Sequence, residues 1–132
     1  EQLGKGKVKT LYAGAKSTIY RVKNDEIFTL KGDRKSIGGM SIKLNFSFRD
    51  FELILEEGDT IYMASDGYID QINEAQKRFG SLRFRELLKK SHKVPIEQQK
   101  ELIKQALDIY QGYEEQIDDI TVIGVRIINP KI

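Results

Sequence analysis

The sequence predicts an α+β domain whose sheet is mostly antiparallel. Three observations carry this reading. Ile19 to Leu30 forms two strand-like runs on either side of Asn24-Asp25, the pattern of a β-hairpin. Phe46–Leu55 and Thr60–Ala64 are two more strand-like runs, separated only by the turn Glu56–Asp59. A link that short joins antiparallel neighbours. After Asp66 the period lengthens, and Gln99, Leu102, Ile103, Ala106, Leu107 and Tyr110 fall at the i, i+3, i+4, i+7 spacing of a helix with one apolar stripe.

Each element has its own local reason. Glu1–Lys7 is polar with two glycines and reads as a weak strand, and Val8–Gly14 (VKTLYAG) as a better one ending in glycine. Lys16–Lys23 and Glu26–Lys31 are the arms of the hairpin, and Gly32–Leu44, with Gly32, Gly38 and Gly39, reads as a long irregular loop. Phe46–Leu55 is expected to pair with Thr60–Ala64. Tyr68–Asn73 reads as a short helix, and Glu74–Gly80 as a turn. Ser81 suits the N-cap of a helix through Leu87, Leu88 and Lys90. Pro95 suits the first turn of the longest helix, where Glu97 meets the positive end of the dipole, and Gly112 suits its end. Ile120–Ile128 is the last predicted strand.

The chain has 132 residues, enough for one domain with one core. Hydrophobic residues make up 39% and charged residues 32%, which fits a soluble, folded chain rather than a disordered one. Twenty-two basic and 20 acidic residues leave a net charge of +2, so bulk charge supports neither nucleic-acid nor membrane binding. The absence of cysteine excludes disulfides and thiolate metal sites and is compatible with a reducing, cytoplasmic setting. No apolar run is long enough to cross a bilayer, and no signal peptide is visible. The first residue is not Met, and the chain is expected to be a piece of something longer.

Two stretches carry the chemistry. In LEEGDTIYMASDGYIDQIN, Asp66 stands where the strand Thr60–Ala64 ends, followed by Gly67, which permits a sharp turn or a close approach. In QIDDITVIGV, Asp118 and Asp119 precede the last strand. If the two strands are neighbours, the acids converge at one end of a sheet, and hard ions such as magnesium or manganese take oxygen ligands of that kind. Taken separately, each acid also reads as an ordinary turn residue. Asp70 reads as a cap or a solvated group on the short helix. His92, the one histidine, sits at a basic helix end (KKSHK) that favours the dipole, and Lys89, Lys90 and Lys93 read as a solvated face. No nucleophilic triad, phosphate loop or zinc pattern is present.

In that order and context, GDTIYMASDGYIDQIN, KRFGSLRFRELL and EEQIDDITVIGVRI resemble the C-terminal half of a bacterial SpoIIE-type serine/threonine phosphatase of the metal-dependent PPM family. The upstream LYAGAKSTIYRVKNDEIFTLKGDRKSIGG resembles the middle region of that family. The resemblance implies an antiparallel β-sandwich flanked by helices, present here as a partial domain. It implies that Asp66 and Asp118 are metal ligands, that Gly67 lets the chain turn beside the metal, and that Asp119 supports Asp118 through hydrogen bonds. The family's N-terminal half supplies a metal-bridging Asp in an Asp-x-x-Gly-His-Gly type motif, which this sequence lacks.

The implied reaction is hydrolysis of phosphoserine or phosphothreonine on a signalling protein, such as an anti-sigma-factor antagonist, by a two-metal site using Mn2+ or Mg2+. An upstream sensory or receiver domain is the expected partner, and this fragment alone is expected to be inactive. Unpaired strand edges left by the missing half favour self-association. Two rival readings stand beside this one: a non-catalytic interaction or dimerisation module that keeps the phosphatase fold, and an unrelated α+β binding domain in which the acids are mere turns.

Overall fold

The computed structural model describes residues 1–4, 6–37 and 47–128. The chain runs β1 (Gln2–Gly4), β2 (Lys7–Tyr12), β3 (Thr18–Lys23), β4 (Glu26–Lys31), β5 (Phe51–Glu56), β6 (Thr60–Ala64), α1 (Gly67–Asp70), α2 (Ser81–Ser91), α3 (Ile96–Gln111) and β7 (Val122–Arg126). The strands form two antiparallel sheets, one ordered β1-β2-β5 and the other β4-β3-β6-β7.

The two sheets face each other across a core of Tyr12, Ile19, Leu55 and Ile61, with Phe51, Leu53 and Met63 packed around it. The four-stranded sheet is covered on its other face by helices. There Tyr20, Val22 and Tyr62 meet Tyr68, Phe79, Phe84, Leu88, Ile103 and Leu107. Strands β3 and β6 are therefore buried on both faces, which explains why TIYMA is an almost continuous apolar run instead of a clean alternation. Burial pushes the Tyr62 hydroxyl up to about 12, and it donates to Gln99 Oε1 at 2.6 Å.

The hairpin predicted over Ile19–Leu30 is β3–β4, in register from Thr18↔Lys31 to Lys23↔Glu26. The expected pairing of Phe46–Leu55 with Thr60–Ala64 does not form. Strand β5 begins only at Phe51 and pairs with β2, whereas β6 lies between β3 and β7 in the other sheet. The turn between them sends the chain across the sandwich. Gly58 has φ +90°, and the buried Asp59 carboxylate accepts the Glu56 N–H at 2.9 Å and the Arg21 guanidinium of β3. A run that is apolar on both sides takes the central place, with ladders on both edges.

Smaller differences follow the same logic. Phe46, and residues 38–44 of the predicted loop, lie outside the described residues, and residues 47–50 carry no strand. The N-cap of α2 is Gly80, at φ +83°, and Ser81 is the first helical residue. Pro95 is the N-cap of α3, and Gly112, at φ +59°, ends it as expected. Within the predicted stripe Gln99, Ile103 and Leu107 are buried, while Leu102 lies at its rim, 40% exposed. His92 closes α2, but its ring also reaches the sheet, with Nδ1 3.0 Å from the buried Thr60 Oγ1.

Phe84 is fully buried between Tyr20 and Tyr68, with ring centroids at 5.4 and 4.8 Å. Phe84→Ala is expected to cost about 3–5 kcal/mol of unfolding free energy. Leu82→Ala, on the exposed side of the same helix, is expected to stay within about 0.5 kcal/mol. Urea titration by circular dichroism measures both. Burial first, and then the Arg126 guanidinium, hold the His92 imidazole below its ordinary value of 6.5. Folding thus favours the neutral ring, and that contribution is present above the ordinary value and lost as pH falls through the lower folded value. The urea midpoint is expected to fall on acidification below about pH 6.5 by more in the natural chain than in His92→Asn.

Candidate functional site

The β6–β7 ladder sets the site. Its register runs from Thr60↔Arg126 to Ala64↔Val122, so both strands reach the same sheet end, where Ser65-Asp66-Gly67 leaves β6 and Asp118-Asp119-Ile120-Thr121 enters β7. Pairing continues one step past the strands, with the Ser65 N–H donating to the Thr121 carbonyl at 2.9 Å. The Ser65 hydroxyl then bridges the two segments, donating to the Asp119 carbonyl at 2.9 Å and accepting the Thr121 N–H at 3.0 Å.

Gly67 completes the junction. A β-carbon there would lie 2.3 Å from the Asp119 carbonyl oxygen, well inside contact distance, so only glycine lets the two backbones meet. Its role here is this close approach to the acid-bearing segment. Gln71, fully buried, holds the same segment further back, its Nε2 donating to the Glu115 carbonyl at 2.9 Å.

Asp66 stands at the N-cap of α1 without a capping hydrogen bond, and its side chain is exposed. It lines a cleft of about 300 Å³ together with Ala15–Thr18, Tyr20 and Ile69. Asp118 is also exposed, and its Oδ1 accepts the Asp119 N–H at 2.7 Å. The contact between Asp119 and Asp118 is thus made by the Asp119 main chain. Gln116 Nε2 donates to the Asp118 carbonyl at 2.7 Å, tightening the turn. Asp70 pairs with Arg78 at 3.1 Å, a surface ion pair on the side of the short helix.

The donor chemistry suits a hard divalent ion: carboxylate oxygens only, with both Asp66 oxygens and Asp118 Oδ2 free of hydrogen bonds among the described residues. The number of donors falls short of a full shell. Among the described residues no three His, Cys, Asp or Glu side chains are grouped as a metal site. Ser65 and Gln71 are positioning residues that the sequence reading passed over. Gln71, a neutral polar residue between Asp70 and the apolar Ile72, offered little signal of its own.

The profile of the family described as Stage II sporulation protein E (SpoIIE) matches residues 2–128. No curated protein matches the chain. Among solved structures, the SiaA PP2C domain of Pseudomonas aeruginosa is 35% identical with a TM-score of 0.81, over 89% of this chain and 46% of that one. The phosphatase domain of the cell fate determinant SpoIIE from Bacillus subtilis has a TM-score of 0.63 at 18% identity, over 99% and 57%. The serine/threonine phosphatase PstP/Ppp of Mycobacterium tuberculosis has a TM-score of 0.56 at 14% identity, over 95% and 57%. The chain thus spans about half the length of the structures it matches, and the last two speak for the fold alone.

Gly67→Ala drives a methyl group into the Asp119 carbonyl, and overpacking of this kind costs about 1–3 kcal/mol. The melting temperature is expected to fall accordingly, whereas Gly4→Ala, where a β-carbon meets nothing, is expected to show only the milder penalty of its positive φ. Equal melting temperatures for Gly67→Ala and the natural chain would show that the two segments are not pressed together.

Proposed function

Because the chain belongs to the SpoIIE family of PP2C-type, metal-dependent phosphatase domains, we propose that residues 1–132 are the C-terminal portion of a catalytic domain that dephosphorylates phosphoserine or phosphothreonine on a signalling protein. The observation that carries this reading is the seating of Gly67 against the Asp119 carbonyl. It joins the SDG and DDIT segments at one sheet end, in a chain that fits the family over almost its whole length.

Asp66 and Asp118 are the residues that would hold a divalent ion, Mn2+ or Mg2+. One relative, the SpoIIE phosphatase domain of Bacillus subtilis, has a structure described as Mn presoaked. When bound, such ions activate a water and neutralise charge on the phosphoryl oxygens. The protein's own part is preorganisation. The Ser65 hydroxyl and Gly67 hold the acid-bearing segment against the end of β6, and the Asp119 amide fixes one oxygen of Asp118 and leaves the other as a donor. Two carboxylates fall short of the roughly six oxygens a hard ion takes, so the remaining ligands belong to the other half of the domain and to water.

The outer strand β7 supports the same reading. Its Ile123 and Val125 are 48% and 43% exposed, and its only ladder partner among the described residues is β6. An apolar edge of this kind calls for cover, by the rest of the domain or by a second copy. The reading extends to an upstream sensory or receiver domain, a substrate such as an anti-sigma-factor antagonist, and a cytoplasmic location. No helix among the described residues is long and apolar enough to cross a membrane.

The test uses the full-length parent protein with manganese and a phosphopeptide. Asp66→Asn and Asp118→Asn are each expected to lower phosphate release at least about 100-fold, since even outer-shell partners of a metal cost 10–100-fold, with an unchanged circular dichroism spectrum. Undiminished release in both variants overturns the assignment. Residues 1–132 alone are expected to release no phosphate above background.

A further inference from the structure

Beside the Asp66 cleft lies a second cleft of about 280 Å³, and the turn Lys16–Thr18 is the wall they share. The second cleft is lined by three cations, Lys16, Lys31 and Arg34, all exposed. None of the three side chains has a hydrogen-bond or ion-pair partner among the described residues. The one acid in its lining, Asp33, is buried and already balanced: its carboxylate accepts the Arg49 N–H at 2.8 Å and Nε at 2.9 Å, and pairs with Nη2 at 2.9 Å. The cleft therefore carries net positive charge.

The shared wall is held rigidly. Lys16 adopts φ +55°, a left-handed conformation that a side-chain-bearing residue keeps only when its surroundings impose it. Its N–H donates to the Asp33 carbonyl at 2.7 Å, the Asp33 N–H donates to the Gly14 carbonyl at 2.7 Å, and the Gly32 N–H donates to the Ser17 carbonyl at 2.9 Å. Gly32 lies so close to Gly14 that a β-carbon would sit 2.3 Å from its carbonyl oxygen. Hydrogen bonds and close contact together fix a basic cleft next to the acid-bearing one.

We propose that the cleft of Lys16, Lys31 and Arg34 is a specificity subsite that binds acidic residues flanking the phosphorylated residue of the substrate protein. The proposal rests on the phosphatase reading above. Asp66 of the first cleft serves the metal and phosphoryl group, and cations across the Lys16–Thr18 wall meet the acidic side chains of the same peptide. Charge complementarity of this sort selects partners and weakens with salt.

The test takes the full-length parent and two fluorescein-labelled phosphoserine peptides, one flanked by glutamates and one by alanines. Binding is read by fluorescence anisotropy in metal-free buffer, and phosphate release is read with manganese. The parent is expected to bind the glutamate peptide about tenfold more tightly at low salt, with the advantage shrinking as salt rises. The exposed pair Lys31→Glu with Arg34→Glu is expected to reverse that advantage, so that the alanine peptide binds more tightly than the glutamate peptide. Lys31→Ala with Arg34→Ala, which introduces no new charge, is expected to remove the preference without reversing it. Equal binding of the two peptides by the parent, or a preference that survives both double variants, overturns the subsite. If phosphate is released from both peptides at equal rates, the subsite falls and the phosphatase reading stands. If neither peptide is hydrolysed, both fall.

Discussion

The backbone contact between Gly67 and the Asp119 carbonyl is the constraint on which the rest of the site depends. It exists because β6 and β7 are paired to their ends, and because position 67 carries no β-carbon. Every other feature of the site follows from it. The Ser65 hydroxyl bridges the two segments because they lie within hydrogen-bond reach, and the Asp119 amide can hold the Asp118 carboxylate because the turn is tight. The acids themselves are exposed, so the strand ends and the buried Gln71 beneath them supply the rigidity.

That rigidity comes from the two-sided burial of the central strands. Tyr62 faces the helices, while Ile61 faces the other sheet, and the same division holds for Tyr20 and Ile19 on β3. The helix layer has an aromatic centre, with Tyr68 edge-on to Phe79 at 5.1 Å and Phe84 at 4.8 Å from Tyr68. Tyr68 is also the residue after Gly67, and its hydroxyl donates to the Ile103 carbonyl at 2.7 Å. The short helix that carries the chain away from Asp66 is thus pinned directly to α3. Core packing and site geometry share residues here, so a lesion in one is felt in the other.

The opposite end of the same sheet is held by charge. Asp59 is buried, pairs with Arg21 and accepts the Glu56 amide, and Arg126 reaches Thr60 Oγ1 at 3.2 Å beside His92. A buried carboxylate needs such partners. By anchoring the Gly58 turn, this cluster sends β6 into its own sheet and so sets the register that delivers Asp66 to the far end.

Much of this was legible in the residues themselves. The hairpin at Asn24-Asp25, the stripe of α3 with Gly112 at its end, and the run TIYMA followed by Asp-Gly are all local patterns, because turn chemistry and side-chain period act over a few residues. The SDG and DDIT stretches, in their order and with the sequence around them, pointed to the family. The partner of each strand was not legible. Phe46–Leu55 and Thr60–Ala64 look like two arms of one hairpin, but Asp59 and the two-sided burial of β6 place β5 and β6 in different sheets. The contact of Gly67 with Asp119, and the two clefts divided by Lys16–Thr18, join residues far apart in the chain. Only the packed sheets decide such meetings, because no local preference records which distant backbone will lie alongside.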